Sequence, residues 1–466
     1  MTTTASASTG TSSGSSSGTL SGKQRVLVGV TLFSMMFGAG NLIFPPLVGA
    51  LAGTASVAAL IGFIISAVGL PIMGVLAVSF AGGFEQLANR VSPRFATVLA
   101  VAIILTIGPL FAIPRTASTS YEMAIAPFES AGSHWALQLG YSIVFFTLAW
   151  LVAQHPEKLS KILGRIMGPI LLAMIVVLFV MCLFLPHPPV ATPQGAYAHT
   201  QLMQGFVDGY QTLDLLALLY FGIVISANIR AFGITQEQRV RREVGIGGLV
   251  TGIMLVAVYS MLGFIGTISD SITPIDAQHA TGADVLSNLT DHAFGRAGTV
   301  FVGIIFIIAC FNVCVGLIST ASSFFSGRFP TVCGRSVSYR AWSVVFTFMA
   351  LAIANLGLEQ IIRFSVPVLE ALYPIAIVLV ILALLDEPFT SRFRPVYVWS
   401  VACTCVVSIL QCIAGFAQAL GGRIGWIESL LAWLPLQSLT LGWVLPALVG
   451  VCIGVIVQFV HGSGRP

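Results

Sequence analysis

Charged side chains are scarce in this sequence. Asp, Glu, Lys and Arg make up 8% of its 466 residues, against 56% hydrophobic, where soluble domains carry about 25% charge. Such a chain cannot clothe itself in polar surface, so most of its faces must meet lipid or other apolar helices. It reads as a polytopic membrane protein. The net charge of +4 leaves no broad basic surface for nucleic acid. No G-x-x-x-x-G-K-[ST] phosphate loop occurs, so ATP does not drive it directly. Ser and His form no evident nucleophile motif, and nothing implies an enzyme or an organic cofactor. The seven histidines all fall in expected loops or at helix ends, which excludes a mid-membrane histidine relay. Of the eight cysteines nearly all lie in apolar runs. Cys310 and Cys314 sit four apart with no His or carboxylate beside them, so they read as small packing residues rather than metal ligands.

What is present is length and apolar continuity. A span needs about 20 mostly apolar residues. Twelve candidates appear, at 26–50, 56–80, 97–121, 136–153, 161–185, 205–228, 244–268, 297–322, 340–356, 361–384, 395–418 and 439–460. Residues 1–22 are almost pure Ser, Thr, Gly and Ala, without the basic start of a signal peptide, and are expected to be a disordered tail. Loops on the side of the N-terminus hold 17 of the 21 Lys and Arg, among them Lys158, Lys161, Arg165 and Arg465. Only Arg115, Arg296, Arg363 and Arg423 face the other way. By the positive-inside rule both termini are cytoplasmic, which requires an even number of spans. The seventh and eighth spans are separated by a loop with Asp270, Asp276, Asp284 and Asp291. Its segment 284–294, DVLSNLTDHAF, is expected to be a solvated surface helix.

The first span contains MMFGAGNLIFPP, residues 35 to 46. Two glycines, an asparagine and a Pro-Pro pair are poor residues for an unbroken helix. In hydrocarbon an unpaired backbone group costs several kcal/mol, so irregular backbone survives at that depth only inside protein or beside a wet cavity. Amides freed near Gly38 and Gly40 suit a carboxylate, helped by the positive end of a helix dipole. Carbonyls ending the inner half-helix suit an ammonium. Close helix packing through small residues is the competing reading. Five spans later FVDGYQTLDLLALLYFGIVI, residues 206–225, carries Gly209, Thr212 and Asp214 inside another apolar run. A carboxylate at that depth costs roughly 2.5 kcal/mol or more, so Asp214 needs an interior partner. Matching interruptions in two halves mark the substrate site of secondary transporters.

Four motifs in order resemble the bacterial branched-chain amino acid:cation symporters, within the amino acid/polyamine/organocation superfamily. They are FGAGNLIFPP (37–46), IGPLFAIPRTASTSYEM (107–123), GYQTLDLLALLYFGIVI (209–225) and FSVPVLEALYPIAI (364–377). The resemblance runs from about residue 24 to 460. It implies an all-α protein of twelve transmembrane helices with a five-plus-five inverted-repeat, LeuT-like core and two added C-terminal helices. The repeats would cover 23–200 and 201–386, and the last two helices 387–466. The implied activity is Na⁺- or H⁺-coupled uptake of leucine, isoleucine and valine by alternating access, with no other cofactor. By the motif, amides near Ala39 and Gly40 would hold the substrate carboxylate. Carbonyls near Met36 and of Tyr210, Gln211 and Thr212 would hold its ammonium, with Gly38, Asn41 and Asp214 alongside. Apolar side chains of the third, sixth and eighth spans would take the branched side chain. One methylene is worth only about 1–3 kcal/mol, so the three substrates should overlap.

The resemblance also implies an inner cation site, with carbonyls from Ser34 and Phe37 and side chains of the eighth span near Ala309. Here the sequence departs: Val313 stands where the family usually has Thr and offers no side-chain oxygen. Asn312, or Ser319 and Thr320, would have to substitute, which puts Na⁺ coupling in question. Glu370 lies in the tenth span, where an apolar residue is usual. Asp214 or Glu370 then becomes a proton carrier, although a structural pair of Glu370 with Arg363 is the preferred reading. Arg115 and Glu122, seven apart in the third span, both belong to the motif and are expected to form a helix-anchoring or outer-gate ion pair, in preference to a direct contact with substrate. A different small neutral amino acid, an ion channel and a non-transporting amino acid sensor are the rival functions. Oligomeric state is not legible.

Overall fold

The computed structural model describes residues 20–129, 134–154, 167–275, 281–332, 334–386, 390 and 392–462. Lys158, Lys161, Arg165, Asp276, Arg465, Cys333 and most of the N-terminal tail therefore lie outside the described residues. Helices follow one another along the chain. The first are α1 Gly22–Met36, α2 Ala39–Ala52, α3 Ser56–Ile64, α4 Leu70–Ala81, α5 Phe84–Asn89 and α6 Pro93–Leu105. Then come α7 Ala112–Ala124, α8 His134–Ala153, α9 Gly168–Leu183, α10 Gln201–Asp208, α11 Asp214–Ala231 and α12 Glu237–Ile272. The last are α13 Gly282–Arg328, α14 Tyr339–Ala354, α15 Leu358–Leu384, α16 Pro395–Ala419, α17 Gly425–Ala432 and α18 Val444–Gly462. Among the described residues the only strands are a two-residue pair, Thr331–Val332 and Arg335–Ser336.

Each expected span carries helix. Seven helices among the described residues are long and apolar enough to cross a membrane, and three shorter apolar ones accompany them. The expected tail ends earlier than composition suggests. Leu20 is buried, and Ser21 caps α1 by accepting from the Gln24 amide while Gln24 Oε1 accepts from the Ser21 amide. That reciprocal box satisfies two donors a bare helix start leaves open.

Packing is reciprocal between the halves. Helices α1 and α2 lie on α12, while α3 and α4 lie on α10 and α11; α7 lies on α13. The two halves thus exchange partners, as an inverted repeat requires. Glycine makes both contacts close. A Cβ at Gly266 would sit 1.9 Å from the Pro46 carbonyl, and one at Gly205 would sit 2.0 Å from the Ala59 carbonyl. Backbone meets backbone there, the arrangement that gives dispersion contacts to helices lipid does not push together.

Residues 284–294 are not a fully solvated helix. They form the first part of α13, which bends at Gly295 (φ 59°), and bury Val285, Leu286, Leu289 and Thr290. Gly282 at its start would clash with the Ile43 carbonyl if it carried a Cβ, so this segment seats directly on α2. Its amphipathic spacing served an inner face against protein rather than a wet surface.

Candidate substrate site

Both expected breaks are present. Between α1 and α2 the chain leaves the helix at Phe37 and Gly38, with φ/ψ of −75°/104° and −135°/−156°. Between α10 and α11 it narrows to a 3₁₀ turn, Gly209–Thr212, then passes through Leu213 at φ 65°. A non-glycine residue in the left-handed region is costly, and such strain concentrates at functional sites. A third interruption was not expected: the third span opens into a wide turn at Thr106–Leu110, with Gly108 non-helical, before α7 resumes. Pro109 explains it, since proline removes an intrahelical donor and its ring collides with the preceding turn.

The three interruptions meet. A cavity of about 30 Å³ lies between them. Its polar edge is Gly38, Gly40, Asn41, Arg115, Thr212 and Asp214, and its apolar wall includes Ile107, Ala112, Ala217, Val313 and Leu317. Residues of the third, sixth and eighth spans all contribute to this lining. The volume suits one or two waters, so a branched side chain enters only if the lining moves.

Asp214 opens α11 and is 1% exposed. Its Oδ2 accepts from Asn41 Nδ2 at 2.7 Å and from the Tyr259 hydroxyl at 3.0 Å, and Asn41 Nδ2 is 2.5 Å from that hydroxyl. Asn41 Oδ1 in turn accepts from the Gly38 amide at 3.0 Å. A chain of hydrogen bonds therefore runs from one break to the other, anchored on α12 by Tyr259. The pattern had not marked Tyr259; a lone tyrosine hydroxyl inside an apolar span was its one signal.

Gly38 is tight for a further reason. A Cβ there would lie 2.9 Å from Val313 Cγ2, so the Val313 side chain packs directly on the break. Met36, Phe37, Ala39 and Gly40 are all buried. Tyr210 stacks on Tyr373, centroids 4.3 Å apart, and the Gln211 and Thr212 side chains are also buried.

Arg115 does not pair with Glu122. The two stand two turns apart on α7, and Glu122 is only half-buried. Arg115, 3% exposed, turns into the centre: Nη1 donates to the Gln211 carbonyl at 2.8 Å, and the guanidinium lies over the Phe44 ring at 5.4 Å. The wide turn at 106–110 shifts the register between α6 and α7, which points this face of α7 inward. The expected gate pair is corrected to a residue of the central cavity.

The inner cation region is only partly assembled. Asn312 reaches α1, but its Nδ2 donates to the Ser34 carbonyl at 2.6 Å and to Ser34 Oγ at 3.0 Å. Its Oδ1 is buried without a partner among the described residues. Thr320 bonds back to the Gly316 carbonyl of its own helix, and Ser319 lies against Tyr339 of α14. Two turns of α13 separate them from Asn312, so neither substitutes at Ser34. Ala309 is buried and offers only backbone. Glu370 lies outside the central cavity. It faces a second cavity of about 320 Å³ with Gln411, Gln418, Glu428, Gln437 and Thr440. It makes no ion pair with Arg363, which is exposed. The expected structural pair is therefore replaced by a polar cleft between α15, α16 and α17.

Comparison with known proteins agrees with this architecture. Mhp1, a nucleobase-cation-symport-1 family transporter solved in a closed conformation, superposes with a TM-score of 0.58 over 95% of this chain and 93% of its own, at 12% identity. A manganese transporter of Eremococcus coleocola gives 0.57 at 13% identity, covering 93% and 94%. At such identities the likeness concerns the fold, a LeuT-like transporter architecture. Sequence relatives are nearer. The Bacillus subtilis branched-chain amino acid permease BraB is 35% identical over 95% of this chain and 97% of that protein. The branched-chain amino acid transport system 2 carrier protein of Pseudomonas aeruginosa is 36% identical over 96% and 98%. Residues 21–461 match the family described as branched-chain amino acid transport protein. A membrane transport protein rather than an enzyme, the chain belongs to that family.

Proposed function

We propose that this protein carries leucine, isoleucine and valine across the membrane by alternating access, coupled to a monovalent cation, Na⁺ or H⁺. One observation carries the reading: three interrupted helices bring helix ends and a buried carboxylate to one cavity whose opposite wall is apolar. A zwitterion with a branched tail matches that division. The opening amides of α2, at Ala39 and Gly40, have no acceptor one turn back and suit its carboxylate. Carbonyls of the 3₁₀ turn suit its ammonium. Burying an isobutyl group against Ile107, Ala217 and Leu317 contributes about 2 kcal/mol.

Coupling is assigned to Asp214, the one carboxylate lining the cavity among the described residues. A cation that neutralises it removes the largest electrostatic obstacle to reorienting the two broken helices. Twelve spans with both termini cytoplasmic remain the topology that fits the sorting of Lys and Arg. Repeats covering 23–200 and 201–386, in a bacterial inner membrane, belong to the same proposal through the family resemblance. The test is leucine uptake into proteoliposomes, driven first by a Na⁺ gradient and then by a pH gradient alone. Accumulation under one of them identifies the ion. Equilibration without accumulation under both ends the symport reading, and uptake that never saturates favours a channel.

A further inference from the structure

Arg115 is a buried guanidinium that no carboxylate contacts directly among the described residues. Its one hydrogen-bond acceptor is the Gln211 carbonyl, and its Nε is buried without a partner among the described residues. Asp214 lines the same cavity, but its bonds run to Asn41 and Tyr259 rather than to Arg115. Asp214 is near enough to attract the guanidinium but makes no direct bond to it, and a buried charge without a hydrogen-bonded counter-charge is expensive. A position that keeps such a charge beside a cavity is built to receive the opposite one.

The geometry says where that opposite charge goes. A Cβ on Gly40 would lie 2.7 Å from Arg115 Nη2 and 3.1 Å from the Gln211 oxygen. Glycine at 40 thus lets three things converge: the amides that open α2, the guanidinium fork and the carbonyl of the other break. We infer that Arg115 is the carboxylate anchor for the amino acid and that it exchanges partners on binding. The substrate carboxylate, seated at the start of α2, draws the guanidinium into a bidentate pair. The Gln211 carbonyl released by that movement then accepts from the substrate ammonium. One side chain thereby links capture of the carboxylate on α2 to exposure of the ammonium site between α10 and α11. The same swing enlarges a cavity of about 30 Å³, in which the guanidinium takes the space a substrate needs. This rests on the amino acid transport reading above, and it adds a selectivity filter that a site made of backbone alone would lack.

The test compares binding of leucine and leucinamide, which differ in the carboxylate, to purified protein by thermal shift and by competition with labelled leucine. Wild type should bind leucine at least about 30-fold more tightly, in line with the strength of charge-assisted hydrogen bonds. In Arg115→Gln the leucine affinity should fall while that of leucinamide holds, so the ratio drops toward one. Arg115→Lys should keep an intermediate ratio, because the charge stays and the fork is lost. A merely structural arginine would weaken both ligands together, and that result overturns the proposal, as does an unchanged ratio. If Arg115→Gln fails to fold, the intermediate ratio in Arg115→Lys decides. Running the twenty amino acids with their amides separates the two readings. Binding only of an unbranched amino acid sinks the substrate assignment while the acid-to-amide ratio still reports on Arg115, and binding of none sinks both.

Discussion

Asn41 and Asp214, 173 residues apart in sequence, share a 2.7 Å hydrogen bond that joins the start of α2 to the start of α11. Each residue opens a half-helix beyond a break, so the bond ties together the two elements that hold the cavity.

Asp214→Asn should keep this bond, since an amide oxygen still accepts from Asn41, but removes the charge. The fold should persist with little change in Tm. Exchange of leucine across proteoliposomes should continue, whereas accumulation against a gradient should fall to the equilibrium level. Undiminished accumulation would mean that the coupling ion is bound elsewhere.

Gly38→Ala places a methyl group 2.9 Å from Val313 Cγ2. The backbone there, at φ −135°, is open to any residue, so the cost is steric. Overpacking of this kind is worth about 1–3 kcal/mol, and Tm and leucine affinity should both drop. Val313→Ala in the same chain should restore them. A double variant as impaired as the single one would point to the backbone rather than to the contact.

Arg25 grips Glu243 with two parallel 2.7 Å hydrogen bonds, pinning the start of α1 to α12. Glu243 is 1% exposed and Arg25 is 29% exposed. Arg25→Ala strips the guanidinium from a buried carboxylate, a larger loss than that of an ordinary surface pair but smaller than that of a fully buried one. Thermal unfolding in detergent should shift downward, and exchange of Arg25→Glu with Glu243→Arg should recover part of the loss. No shift in the single variant would reduce the pair to a surface contact.

Glu370 belongs to the cleft with Gln411 and Glu428, so Glu370→Gln should leave the ion dependence of leucine uptake as it is in wild type. A change of coupling ratio in this variant, measured as charge moved per leucine, would bring Glu370 back into the transport cycle.

Much of this architecture was legible in the chain. Apolar runs of about 20 residues locate spans because hydrocarbon tolerates no unpaired backbone. FGAGN and GYQTLD marked the breaks because glycine, asparagine and aspartate are poor in the middle of such runs. The third interruption, at 106–110, was harder to see: Pro109 stands in it and Pro114 just beyond, and proline alone does not say whether a helix kinks or opens.

Sequence by itself determined which segments are helices and where two of them fail, since both follow from local hydropathy and backbone chemistry. Tertiary structure alone decided which polar groups face one another. Arg115 and Glu122 share a helix at i and i+7, yet a wide turn upstream rotates Arg115 onto Gln211 of another segment. Likewise Ser319 and Thr320 have oxygens of the right kind, but Thr320 spends its own on its helix backbone and Ser319 faces α14. Partner choice is set by helix rotation and long-range packing, and no local pattern carries that information.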